Sequence, residues 1–126
     1  MQKTPRDLRI ETYFLVEIQH LKNHVLGMVE LADSEWHRQS LGAMEDWERL
    51  TRSFDGQFEI LFGSLDLIKA QIGDEMHKRL SGMGAEAKRL LENGRNREGA
   101  FLLQDMDRLG WSKRAQRRVS NLEKIN

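Results

Sequence analysis

Residues 14–32 read FLVEIQHLKNHVLGMVELA, and the spacing of the apolar residues in this stretch decides the fold class. Its main apolar positions follow one another at alternating gaps of four and three residues, which is the period of one face of an α-helix. Those positions are Phe14, Ile18, Leu21, Val25, Met28 and Ala32. Such a stripe is typical of a helix that packs lengthwise against another helix. The sequence therefore predicts an all-α protein.

The first helix is predicted to begin at Thr4-Pro5-Arg6-Asp7. The Thr4 hydroxyl can accept a hydrogen bond from an unpaired backbone N–H, proline suits the first helical position, and Asp7 stands where a capping box has its acid. Since the apolar stripe continues to Ala32, we expect one unbroken helix of about 28 residues, about 40 Å long at 1.5 Å per residue.

A second apolar stripe begins at Trp36 and predicts a helix that folds back antiparallel on the first. Asp33 and Ser34 interrupt the first stripe and favour helix caps, so a tight turn is expected between the two helices. The second helix is expected to break or kink within residues 53–57, where the sequence SFDG offers both a glycine stop and a new cap. Residues 1–80 are therefore predicted to form a long helical hairpin used for oligomerisation or interaction.

The sequence Ser-Gly-Met-Gly at residues 81–84 is predicted to be a linker, because two glycines interrupt the apolar period there. A small helical C-terminal region, residues 85–126, is expected to follow. Its three short helices are predicted at 85–92, ended by Asn93-Gly94, at 97–109, capped by Asn96 and ended by Gly110, and at 113–125, capped by Ser112. The predicted architecture is thus a long antiparallel helical hairpin or bundle with a small C-terminal helical region.

Composition limits the class of protein. The chain has 20 Lys and Arg, 20 Asp and Glu, and no cysteine. Without cysteine there is no disulfide framework and no thiolate metal site, which fits a reducing compartment. No apolar stretch is long enough for a signal peptide or a membrane span. We therefore expect a soluble, cytoplasmic protein with no membrane partner.

The last predicted helix is strongly basic, although the whole chain has a net charge of zero. The segment at residues 106–119 resembles the turn and second helix of a helix-turn-helix. In that motif an apolar residue precedes a turn glycine, and a second apolar residue and a capping serine follow it. The residues in these positions are Leu109, Gly110, Trp111 and Ser112. Gln116 stands where that motif has a buried aliphatic residue. The basic side chains free to contact phosphates or guanine edges would be Lys113, Arg114, Arg117 and Arg118. The alternative is that they form an ordinary solvated face.

The aromatic residues form a second candidate surface. Phe58 and Phe62 widen the apolar face of the second helix beside Leu61 and Leu65, and a face that wide can cover two neighbouring helices, one of them in a second subunit. Monomers seldom expose large apolar patches, so the sequence predicts a homodimer. The candidate interface residues are Trp36, Trp47, Phe54, Phe58 and Phe62, although aromatic residues at helical spacing more often belong to a core.

One group of residues resembles a metal site. Glu17, His20 and His24 are spaced so that they share one helix face, and they could coordinate a divalent metal inside a bundle. Pairs of this spacing also arise by chance on a surface, so no metal and no other cofactor is expected. Motifs for catalysis, such as a glycine-rich phosphate loop, a Gly-x-Ser-x-Gly elbow or a thiol nucleophile, are not found in the sequence.

Two functional hypotheses follow. The first is a non-enzymatic interaction protein of the adaptor, chaperone or inhibitor type, which docks onto a macromolecular partner as a homodimer. The second is a DNA-binding regulator that uses the helix-turn-helix-like segment at residues 97–125 to bind duplex DNA.

Overall fold

The all-α prediction is confirmed by a computed structural model, which describes residues 3–32, 36 and 51–125. Over these ranges the chain forms helices and no strand. The helices are α1 (Pro5–Glu11), α2 (Ile18–Ala32), α3 (Phe54–Leu67), α4 (Lys69–Ile72), α5 (Asp74–Glu92), α6 (Asn96–Arg108) and α7 (Lys113–Ile125). None of the described helices is both long enough and apolar enough to cross a membrane.

The hydrophobic core lies where α6 packs against both α2 and α5, and α3 packs against the same two helices. The fully buried side chains at this junction are Leu21, Val25 and Met28 of α2, Phe58, Leu61 and Leu65 of α3, Leu80 and Ala87 of α5, and Leu103 and Met106 of α6. Each large apolar side chain buried in this way stabilises the fold by roughly 1.5–3 kcal/mol. The part of the first apolar stripe that lies in α2 therefore faces the core, as its period predicts.

The prediction of one unbroken first helix is wrong, because α1 ends at Glu11 and α2 begins at Ile18. Its start is as predicted: Thr4 Oγ1 accepts from the Asp7 N–H at 3.1 Å, and the Asp7 carboxylate accepts from the Thr4 N–H at 3.2 Å. The break has a tertiary cause. The Leu15 N–H donates to Ser64 Oγ at 2.7 Å instead of continuing the helical ladder.

Phe14 explains why the chain leaves the helical path at this point. Its ring lies against Gly63 of α3, so close that a side chain at residue 63 would overlap it. This contact and the Ser64 hydrogen bond attach the segment between α1 and α2 to α3, and α1 also packs on α3. Phe14 of the first apolar stripe therefore packs on α3, whereas the members of the stripe in α2 pack into the core that α2 shares with α6.

The second predicted helix is divided more often than its sequence indicates. The expected break falls at Ser53, whose Oγ accepts from the Gly56 N–H at 3.0 Å and so caps α3. Two further breaks occur, at Ile68 and at Gly73, which has a φ of 86°. The predicted turn at residues 33–34, and residues 37–50 with Trp47, lie outside the described residues.

The linker predicted at residues 81–84 is also wrong, because these residues lie in the middle of α5. Gly84 is buried where α5 crosses α3: a Cβ there would be 2.9 Å from Phe62 Cε1 and 3.2 Å from Leu61 Cδ2. Glycine therefore serves close helix packing at this position and does not end the helix. Buried residues on both sides of residues 81–84 belong to one hydrophobic cluster.

The last two helices lie close to their predicted ranges, whereas the helix predicted at 85–92 is only the second half of α5, which begins at Asp74. After α5, Gly94 has a φ of 77° and the Arg95 N–H donates to the Leu90 carbonyl at 2.8 Å, which ends the helix as expected. The predicted cap at Asn96 is wrong, since Arg95 is the N-cap of α6 and makes no side-chain capping bond. The predicted cap at Ser112 is confirmed, because its Oγ accepts from the Ala115 N–H at 3.0 Å.

Candidate functional site

The turn before α7 is held firmly by the core. The Trp111 side chain is 1% exposed, and its indole Nε1–H donates to the Met106 carbonyl at 2.7 Å. From α2, the Lys22 ammonium donates to the Leu109 carbonyl at 3.2 Å and lies 5.9 Å from the centre of the Trp111 ring. Both α2 and α6 therefore fix the point from which α7 departs.

Gln116 attaches the first turns of α7 to the body of the protein. Its Nε2 amide group donates to the Ile72 carbonyl and to the Trp111 carbonyl, both at 2.7 Å. Carbonyl groups at the end of a helix lack partners within that helix, and Ile72 is the last residue of α4. An aliphatic residue at position 116 would leave this carbonyl without that donor, which accounts for the departure from the helix-turn-helix pattern.

The four basic side chains on α7 are exposed. Elsewhere arginines pair with acids, such as Arg6 with Glu59 at 3.0 Å and Arg89 with Glu86 at 2.6 Å. In the part of the chain that the structure describes, no ion pair joins an acid to any of the four basic residues, which are Lys113, Arg114, Arg117 and Arg118. Over these ranges the four exposed side chains form a basic face on α7.

A groove of about 420 Å³, with both polar and apolar side chains in its wall, lies close to these charges, between α7 and the first half of α5. It is lined by Glu75, Met76, Arg79, Leu109, Gly110, Gln116 and Val119. Val119 is 52% exposed although it is apolar, and Leu109 is half-buried. We call this groove together with the four basic residues the α7 surface. Sequence patterns did not indicate the contribution of α5, since Met76 and Arg79 are distant from α7 in the chain.

The relation between α6 and α7 differs from that in a helix-turn-helix. In that motif the two helices pack against each other across a short turn. Here the predicted turn and cap are present, but α6 and α7 share almost no close backbone contacts within the described ranges, and the first turns of α7 lie beside the start of α5. The slots of the motif are therefore filled without the packed helix pair.

The aromatic residues of the second predicted helix form a continuous contact chain inside the molecule. Ring centres are 5.1 Å apart for Trp36 and Phe54, 5.1 Å for Phe54 and Phe58, and 6.1 Å for Phe58 and Phe62. Phe58 is fully buried, so the prediction that it lies at an exposed interface is corrected. Phe62 is partly buried and packs over Gly84 of α5. The wide apolar face thus covers two helices of its own chain.

The three candidate metal ligands do not converge. His20 Nε2 lies 3.5 Å from Glu17 Oε2, and both side chains are exposed. His24 instead faces α3, where its Nε2 is 3.0 Å from the Gln57 carbonyl oxygen. Burial lowers the pKa of His24, and the hydrogen bond to Gln57 opposes this only in part. Among the residues that the structure describes, no three metal-binding side chains cluster.

Comparisons with known proteins yield no relative: no protein-family profile, no curated protein and no solved structure matches this chain. A functional assignment therefore depends on the geometry of the α7 surface. Its three elements are a fixed departure point at Trp111, exposed basic side chains, and an adjacent groove with polar and apolar walls.

Proposed function

We propose that this protein is a non-enzymatic interaction protein, of the adaptor, chaperone or inhibitor type, that docks onto an acidic protein partner through the α7 surface. The proposal is supported mainly by one observation: four basic side chains that pair with no acid among the described residues lie close to a groove whose apolar walls are Met76, Leu109 and Val119. Charge and apolar surface therefore occur close together at α7.

The two parts of the surface have different tasks in docking. Exposed charges speed encounter with a partner of opposite sign, whereas apolar side chains that enter a pocket supply most of the binding free energy. A suitable partner is an acidic amphipathic segment, with one or two apolar side chains for the groove and carboxylates beside them for Arg114 and Arg118. Glu75 in the groove wall would pair with a basic residue of that segment and set its register.

A defined peptide tests this proposal. Fluorescence anisotropy would follow the binding of a labelled helical peptide with Leu and Glu on one face, alongside a version in which the leucines are replaced by serine. We expect the Leu peptide to bind more tightly, and Val119→Asp to weaken it at least about tenfold, which corresponds to roughly 1.4 kcal/mol. Equal binding of the two peptides, or no effect of Val119→Asp, would contradict docking in the groove.

Duplex DNA is the second candidate partner, and the exposed basic residues of α7 favour it. Arginine and lysine contacts to phosphates release counterions, so the slope of log affinity against log salt falls by about 0.9 for each contact removed. In a gel-shift titration, Arg114→Ser with Arg118→Ser would reduce that slope, while Val119→Ser, which changes no charge, would leave it unchanged. Tight duplex binding without peptide binding would replace the docking proposal with DNA recognition.

The homodimer stays a prediction, but the aromatic surface first expected to form it has little exposed area. Phe58 has no exposed area and Phe62 is partly covered by α5, so a second copy would have to use other apolar residues. The large apolar residues with the most exposure in the described ranges are Leu8, Val16, Leu26, Leu67, Phe101 and Val119. Sedimentation equilibrium at high protein concentration measures the mass directly, and a strictly monomeric species would remove the dimer while leaving docking through α7 intact.

A further inference from the structure

A second groove lies between α1 and α3, on residues that the α7 surface does not include. Its volume is about 450 Å³. The apolar residues in its wall are Ile10, Phe14 and Phe62, and Gly63 lets the Phe14 ring lie close to α3. The charged residues that line it are Lys3, Asp7, Glu11, Glu59 and Asp66. We call it the α1–α3 groove, and it combines apolar surface with several carboxylates.

The carboxylates of this groove have partners within the chain, but the partners do not balance their charge. Lys3 pairs with Glu11, Arg6 Nη1 lies 3.0 Å from Glu59 Oε2, and His77 Nε2 lies 2.8 Å from Asp66 Oδ1. With histidine counted as neutral, four carboxylates of the described residues stand against two cationic side chains, those of Lys3 and Arg6. Exposed ion pairs contribute little to stability, so an added cationic partner can share these carboxylates.

The basic face of α7 has a spacing that fits the two walls of this groove. Its side chains form two rows, Lys113 with Arg117 and Arg114 with Arg118. The members of each row are one turn apart, and the rows are about 100° apart around the helix axis. On the α1 wall Asp7 and Glu11 are also one turn apart, and on the α3 wall Glu59 and Asp66 are about two turns apart. A helix laid along the groove would present one basic row to each wall.

The apolar part of the groove suits the same basic side chains. Lysine and arginine cover apolar surface with their methylene stems while their charged ends reach polar groups. Guanidinium groups also pack on aromatic rings, as Arg97 does here, 5.5 Å from the centre of the Phe101 ring. Phe14 and Phe62 offer such rings in the groove. Val119 lies on the opposite side of α7 from the two basic rows, so this contact does not need it.

We propose that the α1–α3 groove binds the basic face of α7 from a second copy of this chain. The chain's own α7 is held at Ile72 by Gln116, and no described residue of α7 lines the groove. Since the two contacting surfaces differ, each copy can give its α7 to one neighbour and receive α7 from another, so association continues beyond two chains. The inference rests on the proposed function in one respect, because it uses the basic part of the α7 surface.

Sedimentation equilibrium of the full chain at low and at high salt tests this association. At low salt we expect the average mass to rise with concentration past that of two chains, and at high salt to fall, because salt screens exposed charges. The mass of a single chain at low salt and high concentration overturns the proposal. Peptide binding by such a monomeric chain would still support the proposed function, so the two failures are distinguishable.

Two neutral variants, each lacking one side of the contact, test the pairing itself. The groove variant is Glu59→Gln with Asp66→Asn, and the helix variant is Arg114→Ser with Arg118→Ser. We expect each variant alone to associate at least about tenfold more weakly than the unmodified chain. An equimolar mixture should form pairs of chains and nothing larger, because the mixture can make only one native contact per pair.

The matched control removes two exposed carboxylates outside the α1–α3 groove, through Glu30→Gln with Asp105→Asn. It makes the same change in net charge as the groove variant and should associate as the unmodified chain does. The proposal is overturned if the groove variant associates as tightly as the unmodified chain. It is also overturned if the mixture stays at the mass of one chain while both variants keep the circular dichroism of the unmodified helices.

Discussion

The body formed by α2, α3, α5 and α6 and the terminal helix α7 are built in opposite ways. Each helix of the body contributes several fully buried apolar side chains to a shared core, whereas none of residues 113–119 in α7 is buried. The first turns of α7 are attached through Gln116 and through the turn at Trp111. The difference indicates that, over the described residues, stability is concentrated in the body.

The largest effect is expected at Trp111, where the two regions join. Trp111→Ala removes the most voluminous side chain that is buried among the described residues, together with its hydrogen bond to Met106, and should lower the free energy of unfolding by about 3–5 kcal/mol in urea denaturation. Phe101→Ala is the matched control: this aromatic is 50% exposed, and its removal should cost less than about 1 kcal/mol. Similar losses in the two variants would show that the joint is not part of the core.

A smaller effect is expected from a pair of glycines in the body. A Cβ at Gly99 of α6 would lie 2.6 Å from Leu91 Cγ and 3.3 Å from the Ala87 carbonyl oxygen, so Gly99→Ala should force α6 away from α5 and cost about 1–3 kcal/mol. At Gly82 of α5 a Cβ would meet no atom within 4 Å, so Gly82→Ala should stabilise by up to about 1 kcal/mol through helix propensity. Thermal unfolding of both variants compares them, and a gain in both would contradict the close approach of α5 and α6.

The pH dependence of stability should be affected by His24. Burial lowers the pKa of His24 in the folded protein, so the unfolded chain binds a proton at a higher pH than the folded chain does. Stability should therefore decrease as the pH falls below the ordinary histidine value of about 6.5, and continue to decrease until the folded-state pKa is reached.

Urea titrations at several pH values measure this slope. His24→Gln keeps a donor for the Gln57 carbonyl but does not titrate, so it should flatten the decrease. His20→Gln, on the exposed face of α2, should leave the decrease as it is. If His20→Gln flattens the profile and His24→Gln does not, the burial of His24 is not the cause.

The sequence correctly predicted the features that depend on residues close together in the chain. The stripe from Ile18 to Ala32, the capping box at Thr4, the glycine stop at Gly94 and the serine cap at Ser112 all depend on residues within a few positions of one another. For the α7 surface, the same local reading identified the exposed basic residues and noted Gln116 as unusual.

The largest failures involve partners distant in the chain. The break after α1 depends on the Leu15 hydrogen bond to Ser64, 49 residues away, and Gly84 lies in a helix because α3 approaches it closely. Likewise Gln116 bonds Ile72, 44 residues away, and the groove needs Met76 from α5. Periodicity within one helix carries no information about which other helix supplies such a contact.

The smallest effect on stability is expected from the basic residues of α7, and this result distinguishes the two regions most directly. Arg114→Ser with Arg118→Ser removes two exposed side chains that have no acidic partner in the described ranges, so the free energy of unfolding should change by less than about 0.5 kcal/mol. The matched control is Arg89→Ser, which breaks an exposed pair with Glu86 at 2.6 Å and should lower the free energy of unfolding slightly at low salt and less at high salt. A larger loss in the α7 variant, one that salt reduces, would mean that these arginines hold the helix to acids of its own chain. In that case α7 would be part of the body and its charge would not be available to a partner.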